Sequence, residues 1–341
     1  MGRTAPTLEE WKDLYEVAKL FKEMAPWRWM VDADVFGIED PESGEIGYCC
    51  VMGALGEVLG LVVYIGSEGL SLFQEIQSGK ISAQNDDIHL RQRCLVLIFD
   101  DRQMLEKRDL DLIKTLGLKF RGHQAWPSFR SHSPGYVPWF LNGSEARYLS
   151  LALRYTMMVA EKVRESQDVL KPPKRGEYRV AYVSKVDDKA VWQEKWLRPA
   201  PYQPKMMLPV VDELRMARIK GRTEQVGDAW EADFFFAPLM IDEADRPFFP
   251  FIALYAVHRT YHILNFCLAH RTEATEKFAQ NFVDMLEKLK VLPRTIMVRN
   301  ETTFNFFKPM TERLGISLKR VKSLDAIENA KDSFLRHLEQ G

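Results

Sequence analysis

Two aspartates, Asp100 and Asp101, close the clearest buried strand in the chain, Cys94-Leu-Val-Leu-Ile-Phe99. The carboxyl end of such a strand, beside a helix start, is where α/β proteins tend to place ligands. With Asp32, Asp34 or Glu57 the pair would offer oxygen ligands to a divalent ion. The simpler role is local, with Asp101 as N-cap of the next helix, and it is the favoured one.

A second group of candidates surrounds Trp126-Pro-Ser-Phe-Arg-Ser-His-Ser-Pro-Gly-Tyr-Val-Pro-Trp139. This stretch is aromatic, basic and rich in proline, and it reads as a constrained loop of the kind that carries function on a rigid scaffold. His123 and His132, with Arg130 and Glu145, suggest a polar pocket or a general acid–base pair. No nucleophile is placed, since Ser128, Ser131 and Ser133 lack the G-x-S-x-G context. Trp27, Trp29, Trp126 and Trp139 could stack bases, but without a basic stripe core or interface packing is favoured. The binding candidates are thus Asp100, Asp101, Arg130, His132, Glu145 and Trp139, with no catalytic residue, metal ligand or cofactor assigned.

Other motifs exclude chemistries. Gly53-Ala-Leu-Gly-Glu-Val-Leu-Gly60 lacks the Lys-Ser/Thr of a phosphate loop and leads into a strand, so a hairpin turn is expected. Gly66-Ser-Glu-Gly69 opens a helix whose N-terminus could hold an anion. His258 and His262 flank a turn and not a helix face, which excludes a zincin pair. The four cysteines, Cys49, Cys50, Cys94 and Cys267, fall in expected strands at spacings that match neither zinc nor redox pairs. They read as reduced core residues.

The elements that would position these groups form two blocks. Near the C-terminus, Phe251–His258 and Tyr261–Leu268 read as a hairpin, followed by a helix through Phe278, Phe282, Met285, Leu286 and Leu289. Thr295–Arg299 is a buried strand, Thr302–Leu314 a helix closed by Gly315 and interrupted by Pro309, and Ile316–Val321 a last strand. A fainter copy of this order runs from Tyr48 to Arg121, which suggests duplication. Before it, Thr7-Leu-Glu-Glu10 is a capping box for a first helix, and Val31–Phe36 alternates like a strand. Ser144–Val163 is the longest helix. Gly79–Asp87 reads as an exposed loop. Lys171-Pro-Pro-Lys-Arg-Gly176 is the best linker, dividing an N-terminal domain, 1–170, from a C-terminal domain, 177–341. Past it two strands are expected about a turn at Asp187-Asp188, and Ala232–Ile241 is a further strand.

At 341 residues the chain suits two domains, and 46% apolar with 28% charged residues describes sizeable cores in a soluble protein. A net charge of −1 gives no general pull toward nucleic acid. No run approaches the roughly 18 apolar residues of a membrane span, and Met1-Gly-Arg-Thr-Ala-Pro6 opens no signal core. A cytoplasmic location is expected, with a protein partner open and nucleic acid unsupported by the charge.

The hairpin–helix–strand–helix–strand order, with Val298–Phe304 through Leu314-Gly-Ile316, resembles the second half of integrase and transposase cores of the ribonuclease-H-like fold. That resemblance implies an α/β (α+β, mixed-sheet) protein of two such units. It also implies an Asp on the first strand and an Asp or Asn ending the fourth, which together clamp two metal ions on a phosphate. The expected first strand carries Tyr255, Val257 and His258 and no acid, and the fourth ends in Arg299-Asn300. In the N-terminal copy Asp100-Asp101 stand at the strand end, but Val51 and Met52 on the first. Trp27-Arg-Trp29, Gly47-Tyr-Cys-Cys-Val-Met-Gly53, Val63–Gly66 with Gly69-Leu70, and Pro127–Arg130 through Pro134-Gly135 are similar to a bacterial family of domains of unknown function. The C-terminal block resembles a second uncharacterised domain often found with it. These readings imply a non-catalytic binding or interaction protein, with a metal-dependent hydrolase or nuclease and a nucleic-acid binder using the Arg130 loop as alternatives.

Overall fold

The computed structural model describes residues 4–81, 88–186, 189–203, 207–237, 239–243 and 245–339. The chain divides into two mixed α/β units, the first ending at Gln203. Most of the loop expected over Gly79–Asp87 and the turn at Asp187-Asp188 lie outside the described residues.

In the first unit α1 (Leu8–Met24) begins with the expected capping box: Glu10 N–H donates to Thr7 Oγ1 at 3.2 Å and Thr7 N–H to Glu10 Oε2 at 2.7 Å. Its Trp11, Leu14, Tyr15, Ala18 and Phe21 are buried. Strands β1 (Phe36–Glu39), β2 (Ile46–Met52) and β3 (Leu59–Ile65) lead into α2 (Gly66–Gln77). Then come β4 (Cys94–Asp100), α3 (Lys107–Thr115), β5 (Trp126–His132), α4 (Gly143–Glu165), β6 (Tyr178–Val186) and β7 (Lys189–Leu197). The sheet order is β5-β4-β3-β2-β1-β6-β7, antiparallel throughout except between β1 and β6. One face, through Cys49, Val51, Leu61, Val63, Leu97 and Phe129, packs in one core with α1 and α4; Cys50 points the other way, with Leu70 and Phe73 of α2.

Three sequence expectations change here. The aromatic stretch begins as an edge strand, β5, whose burial alternates at Pro127, Phe129 and Ser131. Pro127 is tolerated because an edge strand has amides that need no partner. Val31–Val35 is not a strand: Asp34 Oδ2 accepts from Val31 N–H at 2.8 Å and closes a turn, so Asp32 and Asp34 share no strand face. The Lys171–Gly176 segment lies inside the first unit, because β6 pairs with β1 at Gly37–Val180 and Ile38–Ala181. The division at Gln203 therefore differs from the expected one by the β6–β7 hairpin.

The second unit runs α5 (Glu213–Arg222), β8 (Glu224–Phe236), β9 (Phe251–Val257), β10 (Ile263–Ala269) and α6 (Ala274–Leu289). It continues with β11 (Val291–Val298), α7 (Glu301–Leu314), β12 (Ser317–Arg320) and α8 (Asp325–Glu339). Its sheet order is β10-β9-β8-β11-β12; β9 is antiparallel to both neighbours, whereas β11 is parallel to β8 and β12. Residues of α5, α6 and α7 share a core with Trp230, Ala232 and Phe234, while Leu324, Ala326 and Ile327 at the start of α8 and just before it cluster with Leu254 and Ala256. The sheet thus begins one strand earlier than the Phe251 hairpin, at β8, which the sequence placed at Ala232–Ile241. The second block keeps the expected element order, with β12 parallel to β11; in the first, residues 118–121, expected as the last strand, form none, and the strand after α3 is β5, antiparallel to β4.

Phe234 sits among Phe251, Phe278, Phe306 and Phe307, with centroids 4.8–6.3 Å away. Phe234→Ala should lower stability by about 3–5 kcal/mol, from lost transfer energy and a cavity, measured by urea unfolding. In the first unit Tyr148 OH accepts from Gly47 N–H and donates to Ile38 C=O, both at 2.7 Å. Gly47 is required there, since a Cβ would strike that hydroxyl. Tyr148→Phe strands a buried amide and should cost about 1–3 kcal/mol in the same assay.

Candidate functional site

In the first unit the sequence candidates separate into local structural pairs. Asp101 does not cap a helix. Its carboxylate accepts from Gln124 N–H at 2.8 Å and meets His123 Nδ1 at 2.9 Å, fastening the loop before β5. The Gln124 amide, then His123, hold Asp101 below the usual carboxylate range; burial and then the charge of Asp101 push Asp100 above it. Helix α3 is capped instead by Glu106, whose N–H donates to Asp109 at 3.1 Å. Asp34 is spent on its turn, and only the carbonyl of Glu57 comes near, accepting from Gln124 Nε2 at 3.0 Å.

Arg130 is held in a two-pronged pair with buried Asp109, at 3.0 and 2.7 Å, and meets Glu106 at 2.9 Å. Its guanidinium also lies 4.6 Å from the Phe140 ring. A cation so committed anchors β5 to α3. Trp139 closes the outer side of β5, exchanging backbone bonds with Ser131 at 2.7 and 3.0 Å.

His132 and Glu145 do come together, lining a cavity of about 230 Å3 with Ser131, Arg93, Glu45 and Tyr148. Glu145 is the reciprocal partner in the α4 capping box, accepting from Asn142 N–H at 2.9 Å, and takes the Ser131 hydroxyl at 2.8 Å. That hydroxyl donates to a capping carboxylate, which gives no activated nucleophile of the serine–histidine kind. The N-terminus of α2, a possible anion site from sequence, is filled by a Glu45–Arg93 pair at 2.5 and 2.7 Å. Gly66, at φ +66°, makes room: a Cβ there would lie 2.5 Å from Glu45 Oε1.

The second unit holds a constellation that sequence reasoning missed. Glu231 and Asp233 alternate along β8 with Trp230, Ala232 and Phe234, so they share the opposite face. Both are 0% exposed. Glu231 Oε1 lies 2.5 Å from His258 Nδ1, and its Oε2 accepts from Ala326 and Ile327 N–H at 3.0 and 3.1 Å, at the start of α8. A carboxylate at a helix N-terminus satisfies amides that no helical carbonyl reaches. Asp233 Oδ2 accepts from Arg299 Nη2 at 2.8 Å and faces Lys331 Nζ at 3.6 Å, while Asn300 Nδ2 approaches Oδ1 at 3.4 Å. Arg299 also reaches Glu328 at 3.4 Å, and Asn300 caps α7 through Thr303 N–H at 2.8 Å. The missed signal was the Trp-Glu-Ala-Asp-Phe alternation, which sets two acids on the face opposite three apolar side chains. Among the described residues no group of three His, Cys, Asp or Glu side chains converges to hold a metal ion, and no helix is long and apolar enough to cross a membrane.

Removing Arg299 takes from buried Asp233 its nearest counter-charge and leaves it Lys331 at 3.6 Å. Arg299→Ala should therefore lower stability by about 2–3 kcal/mol, and adding Asp233→Asn should recover part of it; a double-mutant cycle of chemical unfolding measures this coupling. Asp100 behaves oppositely. Its raised value means folding is favoured while it is protonated, and that advantage is lost as pH rises through the folded value. Asp100→Asn should raise the melting temperature at pH 7, with the gain shrinking toward pH 3.

Comparison with known proteins gives two matches. A family model described as domain of unknown function DUF7309 covers residues 11–181, and one described as domain of unknown function DUF6930 covers residues 215–335. No curated protein matches the chain. The first model spans half of the sequence and the core of the seven-stranded unit, and the second falls on the unit that buries Glu231 and Asp233. The chain belongs to the DUF7309 family and carries a DUF6930 domain in tandem behind it.

Proposed function

We propose that this is a non-catalytic binding or interaction protein of the bacterial cytosol, whose second unit is a ribonuclease-H-like sheet with its acidic site occupied by the protein's own cations. The order β10-β9-β8-β11-β12, with β9 antiparallel and β8, β11 and β12 parallel, supports that fold. The free cysteines, three of them buried, suit a reducing compartment. One observation carries the reading. Asp233, on the first strand, lies against Arg299 and Lys331, and its neighbour Glu231 is bound by two amides at the start of α8. These residues do not fit a divalent ion: two cations stand where its charge would go, and Asn300 is engaged as a helix cap.

The rival reading, a metal-dependent hydrolase or nuclease, draws on the nearness of Asp233 to Asn300 at the end of the fourth strand. Thermal unfolding with millimolar Mg²⁺ or Mn²⁺ separates them. The proposal expects no shift in wild type or in Asp233→Asn. A saturable rise of several degrees in wild type, abolished by Asp233→Asn, would establish ligand linkage at this site and favour the hydrolase.

A further inference from the structure

The two sheets have four edges, and three of them are defended. β12 is short and bears Lys319 and Arg320, β7 bears Glu194 and Lys195, and β5 has Pro127 within it and Trp139 bridged to its outer side. Charge, proline and cover are the usual devices against edge-to-edge pairing. The fourth edge, β10, reads Ile263-Leu-Asn-Phe-Cys-Leu-Ala269, with neither charge nor proline.

The side chains of β10 sharpen the contrast. Phe266 pairs across to Leu254, Leu268 to Ile252 and Ile263 to Ala256, and directly opposed residues lie on one face of a sheet. That is the face on which Leu254 and Ala256 pack with residues around the start of α8. Beyond it Ile263, Phe266 and Leu268 are 45%, 57% and 37% exposed. The Phe266 N–H is not spent on β9; it is met at 2.9 Å by the side chain of Asn265. Residues two apart in a strand point their backbone groups the same way, so Phe266 and Leu268 form an outward-facing row.

We propose that β10 is a self-association edge, pairing antiparallel with β10 of a second copy of this chain across a two-fold axis. The bulge between Ile263 and Asn265 confines the ladder to the later residues. Joining Phe266 of one copy to Leu268 of the other exchanges the Asn265 side-chain bond on the Phe266 N–H for one between strands and sets Cys267 opposite Cys267 of the second copy. The pairing is self-complementary, as a two-fold interface must be, and stacks Phe266 and Leu268 of both copies on the same face. The three exposed side chains offer roughly 250 Å² per copy. Two copies of that row bury roughly 500 Å², and the paired strand backbone and flanking residues have to add about as much to meet the roughly 1,000 Å² of a specific contact. This names a partner for the proposed interaction protein and rests on that reading, but it uses the β10 edge and none of the Asp233 contacts.

Light scattering and sedimentation of the whole chain up to about 100 µM, where weak interfaces are populated, test it. Expected is a dimer that dissociates on dilution and is lost in Phe266→Lys/Leu268→Lys with the far-UV spectrum and unfolding transition kept. A short bis-maleimide should link two copies through Cys267, since Cys49, Cys50 and Cys94 are buried, and Cys267→Ser should abolish the link. This measurement needs no folded lysine variant. A chain that stays monomeric throughout, even one that takes an apolar strand peptide from elsewhere, overturns the proposal. So does a dimer that persists in the double variant, or one that gives no Cys267 link. The metal titration reports on Asp233 alone, so failure of the interaction reading and failure of the β10 pairing are told apart.

Discussion

A carboxylate removed from water must be met by cations or amides, and β8 removes two from water within three residues. Much of the second unit follows from this. Glu231 needs partners on the open face of the sheet, and the first amides of α8 provide them together with His258. Asp233 needs a counter-charge, and Arg299 supplies it from just past the end of β11, joined by Lys331 from the middle of α8. Helix α8 is therefore placed by electrostatics at two points along its length, and the small cluster of Leu254, Ala256, Leu324, Ala326 and Ile327 fills in around them. An apolar helix could cover that face more cheaply; the buried acids instead fix where it starts.

The first unit spends its polar side chains in a similar way, tying elements to one another. Arg130 joins β5 to α3 through Asp109, and Tyr148 joins α4 to both β1 and β2. Glu194 of β7 is lowered in pKa: burial works against this, but Arg179, Lys162 and the Tyr155 hydroxyl outweigh it. Each pair holds a strand against a helix or a neighbouring strand. In the cavity by His132 and Glu145, the Glu145 carboxylate is committed to the cap of α4. The two sheets also differ in kind. One is a broad antiparallel meander extended by the antiparallel β6–β7 hairpin, which joins it in parallel at β1, and the other has a parallel β8-β11-β12 half, so a shared order of elements does not produce a shared pairing.

Several local features were legible from the residues. Thr7 and Glu10 cap α1 as the Thr-x-x-Glu spacing requires, Gly315 ends α7 at φ +73°, and adjacent Cys49 and Cys50 face opposite cores. These depend on a few consecutive residues, and local stereochemistry decides them. The stretch from Trp126 misled because proline and serine usually mark loops; at a sheet edge an extended chain with Pro127 is acceptable, and which strand becomes the edge is a property of the whole sheet.

By itself the sequence determined the alternation of elements, the apolar faces and the absence of a familiar catalytic motif, since these follow from periodicity and side-chain type. Only the tertiary structure decided that the sheet of the second unit begins at β8, that α8 buries Glu231 and Asp233, and that Arg299, Asn300 and Lys331 converge on Asp233. A strand pattern records which side chains share a face. It cannot record what lies on that face, because the covering helix comes about a hundred residues later and is recruited by the charges it buries.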